Sequence, residues 1–373
     1  MPNLPGGAGD IMSVFAAFQA ADHPPVAGFD WAGQVAHHRP GTADDAERAR
    51  LERIIDLRHA LGEWAVAHGM SEEHLGEAAF YGALVAPPDA TAAACHIIAE
   101  VVTWIYVVDD MLDRDLAQMM RDDPARADSF LAALMGPASR LLSTKVAHRS
   151  GLPRGVAAAT EAVASEAVAS EAVQSSLAGL LRDADETWRE ASGPEQGAES
   201  SRRVAFELMR CVATMRQELL WNNALAAQRA LPSVEDYLRN GEVSIGMFAV
   251  AASVAALEKR PAGAWRKAGI AMQAAGRVIR LANDIGTWEP DIAAGKLSII
   301  SLLAAQRKAR RHAISLAPDA LFAQVRADAA RAYLRPAIER FAKARRRLSE
   351  GPLRYYLTQI VSFALAVYGD GAA

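Results

Sequence analysis

Two polar stretches carry side chains whose types and spacing suit metal-assisted chemistry. In the first, Trp104-Ile105-Tyr106-Val107-Val108-Asp109-Asp110-Met111-Leu112-Asp113, an apolar run ends in three carboxylates. On a helix, Asp109 and Asp113 lie four apart and project from one side. Like charges at that spacing repel, so the helix gains no stability from the pair. Ile98, Val102, Ile105 and Tyr106 precede them on the same side, giving an apolar wall with an acidic rim. Oxygen ligands of this kind suit Mg²⁺, which keeps few protein ligands and shares phosphate oxygens. The bland alternative is a solvated helix end.

The second stretch is Arg280-Leu281-Ala282-Asn283-Asp284-Ile285-Gly286-Thr287-Trp288-Glu289-Pro290-Asp291. Asn283, Thr287 and Asp291 follow at steps of four, each step passing a full turn by about 40°. Three oxygen-bearing side chains then form a shallow spiral able to chelate one cation. Arg280, three residues before Asn283, lies on the same side and suits a bound phosphate.

Together the stretches resemble the D-D-x-x-D and N-D-x-x-(S/T)-x-x-x-E motifs of class I terpene synthases of bacterial type. Pro232-Ser233-Val234-Glu235-Asp236-Tyr237-Leu238 resembles that family's entry into a kinked helix, and Ser244-Ile245-Gly246 its break. Arg354-Tyr355, about seventy residues after Asn283, resembles its late basic-aromatic pair. The resemblance runs from about Phe80 to Tyr356. It implies an all-α bundle around a central apolar cavity. It implies three Mg²⁺ ions on Asp109, Asp113, Asn283, Thr287 and Asp291, with Asp110 part of the catalytic acidic motif. Arg280, Lys296, Arg354 and Tyr355 are the expected diphosphate contacts. Phe80, Val102, Ile105, Tyr106, Trp221, Ser244, Ile245, Gly246, Phe248 and Trp288 are the expected cavity lining.

Two positions depart from the pattern. The last ligand is Asp291 rather than Glu, and Pro290 before it predicts a bend or stop, because proline lacks the N–H and clashes with the preceding turn. Glu289 is the alternative if the bend turns it inward. The diphosphate-sensing arginine usual four residues after Tyr237 is replaced by Gly241. Arg239 lies roughly 200° away on the helix and cannot inherit the role.

Helices must position these residues. The pattern predicts an irregular arm over 1–41 and an α-helical body over 42–373. Within the body, helices are expected at about 42–69, 72–84, from a cap at Asp89 to the acidic rim, 125–142, 155–182, 202–229, 234–257, 298–309, 321–350 and 353–367. Ala191 to Ser200 reads as a loop. From Glu161, the sequence Glu-Ala-Val-Ala-Ser repeats in five-residue steps that do not share one helix face. Adjacent His37 and His38 face apart and predict no metal site. No strand-like alternation stands out.

With 51% apolar residues in 373, the chain has material for a sizeable core. A net charge of −4 without basic blocks argues against a nucleic-acid partner. Cys95 and Cys211, at no framework spacing, fit a reducing cytoplasm. Neither a signal peptide nor an apolar run of membrane-spanning length is read, so stable membrane insertion is not expected. The expected partners are a small prenyl diphosphate and, as an option, a second copy in a homodimer. Chain length and the missing sensor arginine favour the twenty-carbon geranylgeranyl diphosphate, cyclised to a diterpene, over fifteen-carbon farnesyl diphosphate. A chain-elongating prenyltransferase is disfavoured, because a second D-D-x-x-D is absent. A non-enzymatic helical interaction protein is the remaining alternative. Asp183-Ala-Asp185-Glu186 ends in the wrong residue for protonation-started cyclisation.

Overall fold

The computed structural model describes residues 45–70, 74–143, 167–258, 261–310 and 318–368; the expected arm over 1–41, His37, His38 and the start of the five-residue repeats lie outside them. Every regular element among the described residues is helical. In chain order these are α1 (Asp45–Ala67), α2 (Leu75–Val85), α3 (Ala92–Met111), a π-helical turn (Leu112–Leu116), α4 (Ala117–Asp122), α5 (Pro124–Leu134), α6 (Gly136–Ser143), α7 (Ala167–Ser192) and α8 (Pro194–Ala226). They continue with α9 (Val234–Ser244), α10 (Met247–Ala255), α11 (Pro261–Gly286), α12 (Trp288–Ala293), α13 (Ile299–Arg310), α14 (Pro318–Ala329), a second π turn (Ala330–Leu334), α15 (Arg335–Arg345) and α16 (Pro352–Tyr368).

Helix ends follow local chemistry. Thr91, not Asp89, caps α3: its hydroxyl accepts from the Ala94 N–H at 3.2 Å. Asp123 caps α5 at the Arg126 N–H, with Pro124 in the first turn where its missing N–H costs nothing. The stretch expected as a loop over Ala191–Ser200 is mostly helix. Gly193, at φ +85°, makes the whole turn, and Pro194 starts α8 at once. The polar composition there marks an exposed helix start rather than a loop.

α3 is the central staff. With α4 it forms a helix over Ala92–Asp122 long and apolar enough to cross a membrane by composition, a feature the sequence reading missed; most of it is buried inside the bundle. α2, α7 and α10 pack against it, and α8 and α11 complete the ring with α16. Two devices fix the inner helices. Arg277 on α11 donates to Glu242 at 2.5 Å and Glu235 at 2.8 Å, both on α9. Gly276 lets α9 approach: a Cβ there would lie 2.7 Å from the Glu242 carbonyl oxygen.

Candidate active site

A cavity of about 290 Å³ opens between α3, α8, α11 and α16. Asp109 and Asp113 form one rim; Arg280, Asn283, Asp284, Asp291 and Lys296 form the other. The two polar stretches, some 170 residues apart in sequence, therefore face one space. The deeper wall is apolar and aromatic, with Ile105, Tyr106, Tyr81 and Phe363.

Local backbone irregularities aim these groups. The π turn starts at Leu112, inside the acidic stretch, and the Ala117 N–H bonds back to the Leu112 carbonyl. One residue beyond an α turn is thus absorbed directly beside Asp113, a device frequent at functional sites. At the other rim the helix breaks before Pro290. α11 ends at Gly286, and Thr287 is the N-cap of α12. Pro290 then sits in the first turn of α12, where no N–H partner is lost. The Thr287 hydroxyl donates to Asp291 at 2.7 Å. Asp291 consequently reaches the cavity while Glu289 is exposed. Thr287 itself is half-buried and does not line the cavity.

The rim is electrostatically loaded. Five carboxylates (Asp109, Asp113, Glu218, Asp284, Asp291) line the cavity against two cations, Arg280 and Lys296. Burial, reinforced by Asp113, pushes Asp109 up to about 7. Its side chain is open to the cavity space although protein surrounds it on most sides. Burial likewise raises Asp284 to about 6 against the opposing pull of Arg280. Burial works against the charge on Lys296, but Asp113 at 2.5 Å offsets it and holds the ammonium above its ordinary value. Lys296 follows Gly295, whose φ of +68° turns the chain back toward the rim.

Arg280 is buried and bound on three sides. It donates to Glu218 at 3.1 Å, pairs with Asp284 at 3.0 Å, and meets the Tyr237 hydroxyl. Burial alone would lower its pKa; the two carboxylates keep it well above the usual range. Its chain lies where a Cβ at position 241 would be, 2.7 Å from Cγ. Only glycine at that position leaves room for this pose.

The helix break stands where the sequence places it. α9 stops at Ser244, Gly246 takes φ +74°, and α10 starts at Met247. Ser244 and Ile245 line the cavity. Gly246 lies behind Ile105, which a Cβ would strike at 2.8 Å. The Tyr356 hydroxyl anchors the break by donating to the Met247 carbonyl at 2.8 Å.

Several expected residues stand elsewhere. Asp110 turns from the cavity to His74 at 2.7 Å and Arg114 at 2.5 Å. Adjacent residues on a helix point about 100° apart, so only one of the pair can face inward. Arg354 donates to Glu350 at 2.6 Å and to the Leu348 carbonyl, at the opposite end of α16 from the cavity residues Phe363 and Tyr368; Tyr355 is not in the lining either. Phe80 is core, stacked behind Phe363 at 5.6 Å. Val102 is buried in the core, Phe248 packs under Arg210, Trp288 against Phe322, and Trp221 against Tyr237. Large aromatic residues fill space between helices, and their type alone does not say which face they take.

The sequence reading gave no site role to Glu218, Asn222, Asp284, Tyr81, Phe363 and Tyr368, which line the cavity. Tyr81 is one residue from the expected Phe80, an error of one helical position. Tyr368, pushed up to about 12 by burial, packs over Gly286 where a Cβ would come within 2.9 Å. Glu218 and Asn222 lie four apart on α8, a spacing that put them on one face without saying which.

Residues 100–315 match the family described as terpene synthase family 2, C-terminal metal binding. No curated protein sequence matches the chain. Among solved structures, linalool/nerolidol synthase from Streptomyces clavuligerus is similar at TM-score 0.54, with 17% identity over 86% of this chain and 95% of that one. A second is 2-methylisoborneol synthase from Streptomyces coelicolor A3(2), solved with Mg²⁺ and geranyl-S-thiolodiphosphate. Its TM-score is 0.56, with 13% identity over 90% of this chain and 94% of that one. The reconstructed ancestral protein SVS_A2 gives a TM-score of 0.55 with 18% identity over 86% of this chain and 85% of that one.

Proposed function

Since this chain belongs to terpene synthase family 2, it is an enzyme, and we propose that it ionises a linear prenyl diphosphate and cyclises the resulting carbocation. The observation that carries this reading is the meeting of Asp109 and Asp113 with Asn283 and Asp291 around one cavity with an apolar floor. Five carboxylates against two cations repel an incoming diphosphate unless further positive charge accompanies it. No three His, Cys, Asp or Glu side chains among the described residues form a metal site by themselves. Mg²⁺ suits such an incomplete donor set because substrate phosphate completes its shell. We assign it to Asp109, Asp113, Asn283 and Asp291, with Thr287 orienting Asp291, and take three ions as the number. When bound, Mg²⁺ supplies the charge that stabilises the departing diphosphate.

The chain's own groups do the rest. Arg280 and Lys296 donate charge-assisted hydrogen bonds to the leaving group as its C–O bond breaks. The allylic cation is left beside Tyr106, Tyr81 and Phe363, whose π faces steady positive charge. Apolar walls keep water away until the rings have closed; the last cation then ends as a hydrocarbon by losing a proton, or as an alcohol by taking up one water and losing a proton. Asp110 acts through the His74–Arg114 cluster to hold the end of α3. We take the arm over 1–41 and the body over 42–373 as the domain organisation.

The length of the sequence favours a twenty-carbon substrate. The cavity argues for a shorter one: about 290 Å³ lies at the lower edge of the ~300–1,000 Å³ usual for small-molecule sites. Farnesyl diphosphate is therefore preferred here over the twenty-carbon substrate; a similar structure holds an analogue shorter still, of ten carbons. Incubation with Mg²⁺ and each prenyl diphosphate separately, with extracts read by mass spectrometry, tests the proposal. A cyclic hydrocarbon or alcohol is expected from the fifteen-carbon substrate. A longer diphosphate formed with isopentenyl diphosphate would establish elongation, and no product from any substrate would defeat the reading.

A further inference from the structure

We propose that Phe322 and Arg326 on α14 are positioning residues that hold α12 where Asp291 can reach the cavity; this rests on the metal assignment proposed above. α12 presents Asp291 but has little of its own to fix it. It is six residues long, and none of them is buried. Pro290 offers no N–H to the Gly286 carbonyl, so the ladder of α11 lapses there. Aspartate is also one methylene shorter than glutamate, so its reach depends on where the backbone stands.

Two contacts from α14 grip the chain on either side of the break. Arg326 Nε donates to the Ile285 carbonyl at 3.2 Å. Ile285 lies in the last turn of α11, where carbonyls lack an intrahelical donor and the helix dipole is negative. A guanidinium answers both needs. Beyond the break, Trp288 of α12 lies against the Phe322 ring, with centroids 5.8 Å apart. Phe322 and Arg326 are four apart and so share one face of α14. That helix is itself anchored. Val325 and Ala329 are fully buried, and Asp328 pairs with Arg307 on α13 and with Arg331. Neither Phe322, Arg326 nor Trp288 lines the cavity, so their effect on it passes through the backbone. Thr287 Oγ1 donates to the Asp291 carboxylate at 2.7 Å, and the Lys296 N–H donates to its carbonyl at 2.8 Å. Fixing Ile285 and Trp288 therefore fixes Asp291.

Phe322→Leu keeps an apolar side chain and loses the ring; Arg326→Met keeps the stem and loses the donor. Calorimetry with Mg²⁺ titrated at fixed inorganic pyrophosphate should show half-saturation at about ten-fold higher Mg²⁺ in each. That is the loss expected when a partner behind a metal ligand is removed. Arg326→Lys keeps a cation at the helix end and should stay within about three-fold of wild type. Turnover should return to within about two-fold at saturating Mg²⁺, and metal-free melting temperatures should fall by no more than about 3 °C. In an Asp291→Asn background, Phe322→Leu should move half-saturation little further, because the ring acts through that ligand. Side chains that only stabilise the fold would lower the melting temperature and leave Mg²⁺ half-saturation unchanged. Unchanged half-saturation in either single variant, no rescue by Arg326→Lys, or additive losses with Asp291→Asn would overturn the proposal. Should Asp291→Asn bind nothing, the single variants and the Arg326→Lys rescue decide. If the wild type binds no Mg²⁺ with pyrophosphate, the metal assignment fails and this proposal with it. Wild-type binding that both substitutions leave intact refutes only the role of α14.

Discussion

Asp109→Asn should make the metal-free protein more stable while sharply lowering its turnover. The carboxyl's pKa rises from 3.8 to about 7 on folding, with burial the main cause and Asp113 the second. Each pKa unit corresponds to about 1.4 kcal/mol, so about three units set a ceiling near 4 kcal/mol. The side chain opens onto the cavity, and solvent screening reduces this to about 1 kcal/mol. The sign follows from proton binding. Between pH 4 and 7 the folded state holds the proton that the unfolded state has lost, so stability falls as pH rises through that window. Above pH 7 the full cost is present. Asn carries no charge and removes it. Thermal melts in EDTA at pH 8 should place the variant about 2 °C above wild type, a gap that closes as the pH falls toward 4. Diphosphate release should fall by about 10²–10³-fold, the size expected when one contact to developing charge is lost. A variant that melts lower than wild type at pH 8, or one that turns over normally, would refute this reasoning.

Lys296→Met removes the partner of Asp113 and one of two cavity cations. It should raise KM for the prenyl diphosphate by about ten-fold in steady-state assays, as expected for one charge-assisted contact. Gly241→Ala would place a Cβ 2.7 Å from Arg280 Cγ. Overpacking of that kind costs about 1–3 kcal/mol, and both a lower melting temperature and a higher KM are expected as Arg280 is displaced. His74 has a pKa raised to about 9, chiefly by Glu77 and further by Asp110, with burial opposing. Its contribution to stability is complete below pH 6.5 and is lost as pH rises through 9. Melts from pH 7 to 10 should show that slope in the wild type and not in His74→Gln.

The acidic rim, its partner stretch and the broken helix were legible because each is local: a spacing of three or four residues fixes a helix face, and a glycine after Ser244 fixes a hinge. That Asp109 and Asp113 share the cavity also follows from spacing. The inward partners were not legible. Arg280, expected as a diphosphate contact, lines the cavity, but Glu218, which binds it, lies on another helix with no motif around it. Asp110 was assigned to the chemistry by its motif, whereas the periodicity that turns Asp109 inward turns Asp110 toward His74. Arg354 fits a basic-aromatic pattern but starts α16 a full helix length from the rim. The Gly/Pro-rich segment near Gly193 was mistaken for a loop because the same residues also start helices. The π turn at Leu112–Leu116 leaves no signature in residue type.

The most direct test of the shared site is thermal melting with Mg²⁺ and inorganic pyrophosphate, added singly and together, for the wild type, Asp109→Ala and Asn283→Ala. A ligand bound only to the folded state raises its stability by about 2.7 kcal/mol at a hundred times its dissociation constant. Joint addition should raise the wild-type melting temperature by about 5 °C or more, single additions should do little, and each substitution should remove the joint effect. Joint stabilisation absent from the wild type, or one that survives loss of either Asp109 or Asn283, would contradict a single metal-bound anion held between the two stretches.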